Sequence, residues 1–483
     1  MDRQNLTLLT DLYELTMMQG YYRNKNQNDM VIFDMFYRTN PHDSGYAICA
    51  GLEQVIEYIK HLHFDEEDIT YLRSLSIFGE DFLSYLSDFR FSGNIYSIPE
   101  GTVIFPREPI VKVIAPIMEA QLVETAILTI INHQSLIATK TSRVCFAARG
   151  DGIMEFGLRR AQGPDAGIYG ARAAMIGGCI GTSNVLAGQL FDVPVKGTHA
   201  HSWIMSFPDE YTAFKEYASL YPSACVLLVD TYDTIKSGVP NAIRVFTEMR
   251  EAGIPLTMYG IRLDSGDLAY LSKKARKMLD AAGFSDAVIS ASNDLDEFLI
   301  DSLKAQGATI TSWGVGTSMI TSKDWPAFGG VYKLAAIMQN GTFTPKIKLS
   351  ENTEKVTNPC NKKIYRVYEK DSGKIKADLI TLDEETFTED QPLLLFDPME
   401  PWKKTQLVAN TYTLRELMVP IFQKGECVYT SPSVMEIRTY CQQELETLWE
   451  ETKRFVNPHN VYVDLSKELY DIKIKLLGQI HTL

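Results

Sequence analysis

Seven short apolar runs punctuate the middle of the chain, each ending in polar or glycine residues. They are GIMEFG (152–157), CIGTSN (179–184), VPVKGTHAH (193–201), ACVLLVDTYD (224–233), PLTMYGIRLDSGD (255–267), AVISASND (287–294) and TSWGVGTS (311–318). The last five start roughly 20 to 30 residues apart, with helical patterning between them. A buried strand followed by a helix, repeated at that interval, builds a parallel sheet. Six or more such units suit a (β/α)8-like barrel better than a single βαβ pair, and a doubly wound open sheet is the alternative. In both, function gathers at the C-terminal ends of the strands. The polar signatures GTHAH, DTYD, RLDSGD, SND and GVGTS all fall there.

The 483 residues exceed what one small domain uses, and their texture divides them into 1–140, 141–345 and 346–483. In the first region Leu8, Leu12, Leu15 and Met18 lie at helical spacing. PEGTVIFPREPIVKVIAP then reads as strand, turn, strand, and MEAQLVETAILTIINHQSLIATKTSRV as a long helix. Beyond 345, NPCNKKIYRVYEKDSGKIKADLITLDEE alternates like a β-hairpin with DSG at its turn, and 432–483 are helical and charged. The fold class is α/β. A barrel-like domain occupies 141–345, an α+β domain is built from 1–140 with room for C-terminal strands, and a hairpin and helical region follows over 346–483.

A net charge of −14 argues against nucleic acid or an anionic membrane as partner. An anionic substrate would therefore need local positive groups. Seven scattered cysteines without a CxxC give neither a disulfide framework nor a zinc knuckle. The start lacks an apolar signal region and no run of about 18 apolar residues spans a bilayer, so a cytoplasmic protein is expected.

The strand ends carry the candidate chemistry. In GVGTS, Gly314 and Gly316 would let backbone N–H groups approach a sugar phosphate beside Thr317, or simply form a tight turn. Arg262 leaves a buried strand, where it must meet an anion. Asp264 and Asp267 could hold a ribose diol or Mg2+ through water, or close an internal ion pair. Phe156 beside Arg159 and Arg160 suits a flat anionic ring. Lys140 and Arg143 could meet phosphates or line a solvated helix face. His199 and His201 would share one side of an extended strand. Two ligands without a third make a weak metal pair, and an acid/base or nucleophilic imidazole is the sharper reading.

Nine stretches, in order from residue 8 to 334, resemble the nicotinate phosphoribosyltransferases, type II phosphoribosyltransferases of NAD salvage. They are LLTDLYELTM, EFGLRRAQGPD, GTSNVLAG, GTHAHSW, LLVDTYDT, GIRLDSGDL, SNDLDE, GVGTS and GGVYKL, with KLSENTEKVTNP beyond them. The resemblance implies that nicotinate and phosphoribosyl pyrophosphate (PRPP) give nicotinate mononucleotide and pyrophosphate, with ATP hydrolysed and Mg2+ required. It also implies a homodimer. It makes His201 the phosphoryl acceptor and His199 a neighbour. Tyr13 would stack on the ring from the partner subunit and Phe156 on its other face. Thr198 and Arg262 would contact substrate, Arg159 a carboxylate or phosphate, Thr317 the 5′-phosphate, and Asp264 the ribose hydroxyls or metal-bound water. The metal ligands are not implied.

Nicotinamide-using cousins carry Asp where this chain has Ser183, and a carboxylate there would repel nicotinate. The bland role for Ser183 is a helix cap. VLLVDTYD also lacks the adjacent acidic pair of type I phosphoribosyltransferases. The alternatives are a nicotinamide enzyme, separable by substrate competition, and a non-catalytic phosphosugar-binding barrel. The latter would be signalled by loss of His201, Arg262 or GVGTS, and all three are present.

Overall fold

The structure is a computed structural model that describes residues 5–350, 355–400 and 402–480. Residues 351–354, within KLSENTEKVTNP, lie outside the described residues. The chain forms two compact units. One comprises Met1–Leu136, Ala327–Pro432 and Thr439–Leu483, the other Ile137–Pro326 with Ser433–Arg438.

The second unit holds the strand–helix repeat. Its strands are Gly152–Glu155, Gly181–Thr182, Ala224–Leu228, Met258–Leu263, Val288–Asn293 and Ser312–Val315, all paired in parallel. Ser312–Val315, last in sequence, pairs with Gly152–Glu155, the first, so the sheet curls back on itself. Ile261, Leu263, Ile289, Ala291, Trp313 and Val315, two apart on their strands and in register across them, are buried together on one face of the sheet.

VPVKGTHAH, expected as a full strand, gives a single parallel bridge between Thr182 and Val195. Pro194 has no N–H with which to continue a ladder. Its carbonyl accepts from Thr182 N–H at 3.0 Å, and Lys196 N–H donates to the Thr182 carbonyl at 2.9 Å. Beyond that point the backbone leaves the sheet. The N–H of Leu228, on the facing strand, donates instead to Nε2 of His199 at 3.3 Å. The barrel-like sheet thus has one seam, bridged by a side chain rather than closed by a ladder.

In the first unit, Met30–Tyr37 pairs antiparallel with both Val111–Pro116 and Gly330–Gln339. Asn94–Ser97 pairs with Val419–Gln423. A second sheet holds the expected hairpin, Lys362–Glu369 with Ile375–Leu382, and Gly373 supplies positive φ in its turn. N- and C-terminal regions therefore share one unit. The barrel-bearing unit ends at Pro326 rather than near 345, because the GGVYKL run is a strand of the other unit's sheet. Among the described residues, no helix is long and apolar enough to cross a membrane.

Candidate active site

The C-terminal ends of the parallel strands surround a cleft of about 420 Å³. Phe156, Arg159, Ser183, Thr198, His201, Arg262, Asp264, Gly314, Gly316 and Thr317 all line it. Each lies in the last residues of a strand or just after a strand or the bridged segment, where buried apolar residues give way to polar ones.

The two histidines diverge. Ala200 is extended, and His201 opens the helix His201–Met205, so the rings do not share a strand face as expected. His199 is buried, with Tyr217 edge-on at 4.5 Å between ring centroids. Burial, then the charge of Arg262, pushes its pKa down to about 4, so it is neutral at pH 7. His201 stands 40% exposed at the cleft, its Nδ1 3.0 Å from Thr231 Oγ1 and its Nε2 3.7 Å from Asp264 Oδ2. An imidazole oriented at one nitrogen and open to solvent at the cleft is placed to exchange a group with a bound ligand.

Asp264 is held at its backbone and at its carboxylate. Its N–H donates to Asp230 Oδ2 at 2.8 Å, the same oxygen takes the Ser265 hydroxyl at 2.7 Å, and Ser292 donates to Asp264 Oδ1. Arg262 donates through Nη1 to Thr198. Burial lowers the Arg262 pKa, with Asp264 and Asp230 opposing the shift, yet a guanidinium stays charged. Its Nε is buried without a hydrogen-bond partner among the described residues. The guanidinium as a whole lines the cleft, where a charged fork favours an anion.

Phe156 forms the flat wall. A Cβ on Gly314 would collide with its ring, and one on Gly316 would come within 3.2 Å of its carbonyl oxygen. The glycines of GVGTS therefore make room for Phe156 whether or not they also approach a phosphate. Ser183 is not the cap of the helix Val185–Phe191. Asn184 is, accepting from Ala187 N–H at 3.1 Å, which leaves the Ser183 side chain on the cleft.

Four expected residues lie elsewhere. Lys140 and Arg143 are buried on the helix Glu124–Ala147, both paired with Glu297, at 2.7 and 3.1 Å. Two buried cations need that carboxylate, and neither lines the cleft, so phosphate contact from them is corrected to a structural ion triad. Tyr13 sits on the helix Leu12–Arg23 of the other unit, 46% exposed, and is absent from this lining. Asp267 caps the helix Leu268–Ala281, accepting from Tyr270 N–H at 2.9 Å, and does not line this cleft.

Further residues join the cleft lining, Arg160 as expected beside Phe156. Arg160 adds a second exposed cation to the cleft, and Ser292, Asn293 and Asp294 line it as well. Asn293 has φ +123°, and a left-handed backbone at a strand end is a frequent mark of a working site. SND stood in the sequence as a strand end. In SNDLDE the cap is Asp296, which accepts from Leu299 N–H at 2.8 Å and leaves Asp294 to the cleft. Thr231 and Asp230 carried only the signal of following a buried strand. Among the described residues no three His, Cys, Asp or Glu side chains group as a metal site.

A flat aromatic wall, arginine side chains, and a carboxylate and imidazole at the ends of a curled parallel sheet make a cleft suited to a small anionic ligand. Sequence comparison narrows that reading. Family models for the nicotinate phosphoribosyltransferase N-terminal domain, family and C-terminal domain match residues 8–132, 152–372 and 361–473. The chain is 47% identical over 476 residues to nicotinate phosphoribosyltransferase of Bacillus subtilis, covering 99% of this chain and 96% of that one. It is 32% identical to the Homo sapiens enzyme, covering 96% and 95%. The crystal structure of human nicotinic acid phosphoribosyltransferase superposes with a TM-score of 0.84 at 29% identity, covering 97% of this chain and 100% of that one. The chain belongs to the nicotinate phosphoribosyltransferase family.

Proposed function

We propose that this enzyme makes nicotinate mononucleotide and pyrophosphate from nicotinate and PRPP, and that it couples the synthesis to ATP hydrolysis through a phosphohistidine at His201. The observation that carries the reading is the guanidinium of Arg262, hydrogen-bonded to Thr198 and lining the cleft walled by Phe156. It supports a planar substrate with a carboxylate.

Nicotinate stacks on Phe156 while Arg262 and Arg159 take its carboxylate, and Ser183 presents no repelling charge. Thr317 and the neighbouring backbone receive the 5′-phosphate of PRPP, and Asp264 faces the ribose hydroxyls. The bond from ribose C1 to pyrophosphate breaks with oxocarbenium character as the pyridine nitrogen's lone pair forms the new C–N bond. No proton has to move. The protein's work is positioning and charge balance.

In the coupled step, a nitrogen of His201 takes the γ-phosphoryl group of ATP, the P–O bond to ADP breaks, and water later releases phosphate. The new dianion forms beside Asp264, which changes the charge met by PRPP and so its affinity. Mg2+ supplies neutralisation of the leaving pyrophosphate and of ATP. The chain fits it as an ion held mainly by substrate phosphates: no three-donor protein cage exists among the described residues, and Asp230 Oδ1 is buried without a partner. Asp264 and Asp294 are the cleft carboxylates that would reach such an ion through water. A homodimer in which the partner subunit's Tyr13 covers the second ring face completes the reading, in the cytoplasm, where the substrates are small soluble molecules.

Incubation with γ-labelled ATP and Mg2+, without nicotinate, tests it. Acid-labile, base-stable label is expected on the wild type and on His199→Ala but not on His201→Ala. Mononucleotide formation from PRPP without any label would remove the phosphoenzyme. Neither label nor product would leave a binding-only barrel.

A further inference from the structure

Glu155 ends the strand Gly152–Glu155 directly before Phe156, and its side chain is fully buried beneath the cleft. Its Oε2 accepts the Thr182 hydroxyl at 2.6 Å, and its Oε1 accepts Gly157 N–H. Its backbone carbonyl accepts Ser183 N–H at 2.9 Å, while Thr182 Oγ1 accepts Asn184 N–H at 3.0 Å. One residue therefore holds the backbone on both sides of Phe156 and of Ser183, the two side chains that read the ring and its substituent. Every cause acting on its pKa is either burial or a hydrogen bond, and burial dominates, so the pKa is raised. A carboxyl placed there without a cation is a costly choice for holding two strands together, since an apolar pair would pack as well. What the carboxyl adds is a fixed distance between two loops, set by short hydrogen bonds.

We infer that Glu155, through Thr182, is a positioning residue that sets the spacing between the Phe156 wall and Ser183, and with it the discrimination between a ring carboxylate and a ring amide. The inference rests on the reading of the cleft as the nicotinate site. Neither residue lines the cleft, so the brace should act through Phe156 and Ser183 on nicotinate binding and leave PRPP and ATP binding alone.

The test is steady-state kinetics on Thr182→Val, Thr182→Ser and Glu155→Gln beside the wild type. Thr182→Val deletes one arm of the brace and keeps the volume, whereas Thr182→Ser restores the hydroxyl. Thr182→Val and Glu155→Gln should raise KM for nicotinate by about tenfold, with KM for PRPP and for ATP unchanged within about twofold. The preference for nicotinate over nicotinamide should fall by a similar factor. Thr182→Ser should return both to wild-type values. Unchanged nicotinate KM and selectivity, or an equal loss for all three substrates that tracks a lowered melting temperature, would overturn the brace. Absence of nicotinate turnover in the wild type would instead overturn the reading of the cleft, so the two failures are distinguishable.

Discussion

His199 and His201 are two residues apart and have opposite jobs. His201 keeps 40% of its side chain in solvent beside Asp264, whereas His199 spends its Nε2 lone pair on the Leu228 N–H at the seam of the sheet. That difference is measurable as stability. The ordinary imidazole pKa is 6.5 and that of folded His199 is about 4. The unfolded chain binds a proton in that window which the folded chain refuses. His199 therefore contributes fully above pH 6.5, and the contribution is lost as pH falls from 6.5 toward 4, by about 3 kcal/mol over the whole window. His199→Gln keeps an acceptor for Leu228 and cannot titrate. Its urea-unfolding stability should fall less steeply than that of the wild type between pH 7 and 4.5, and parallel profiles would refute the buried, neutral assignment. The mutant should still take label from ATP.

At the scale of elements, the strand Ser312–Val315 and the turn after Glu155 are fitted to one another. Phe156 N–H donates to the Val315 carbonyl at 2.8 Å, and the Phe156 ring occupies the space of a Cβ on Gly314. Gly314→Ala forces the ring out of place, and overpacking of this kind costs about 1–3 kcal/mol. KM for nicotinate should rise about tenfold with a modestly lowered melting temperature. A wild-type KM would mean that the ring does not wall the substrate. Elements of this sort were legible in the sequence because buried parallel strands end where apolar runs meet polar residues, and the cleft residues from Phe156 to Thr317 were found that way. Partners distant in sequence were not legible. Lys140 and Arg143 read as phosphate ligands because nothing local announces Glu297, 154 residues beyond Arg143. GGVYKL read as part of the barrel because its antiparallel partner, Met30–Tyr37, lies near the other end of the chain. VPVKGTHAH read as a full strand because its pattern does not show that a histidine ring, rather than a carbonyl, takes the next hydrogen bond.

At the scale of the whole molecule, a chain of net charge −14 handles anionic substrates, and the cleft answers with Arg159, Arg160 and Arg262. Each unit also leaves apolar side chains in solvent. Tyr13 and Met17, one helical turn apart, are 46% and 38% exposed, and Leu186 and Leu190, just past Ser183, are 48% and 57% exposed. A symmetric dimer that buries such faces would bring one chain's Tyr13 to the other's cleft. Subunit mixing decides whether Tyr13 acts in that way. Tyr13→Ala and His201→Ala enzymes should each be nearly inactive alone. A heterodimer of the two contains one cleft with an intact His201 and, if Tyr13 acts across the interface, an intact Tyr13 over it. The other cleft carries both defects. Random re-association of equal amounts makes half the dimers mixed, so activity should recover to about a quarter of wild type. If Tyr13 instead serves its own chain's cleft, every cleft in every dimer carries one defect and no activity returns, however long the subunits exchange.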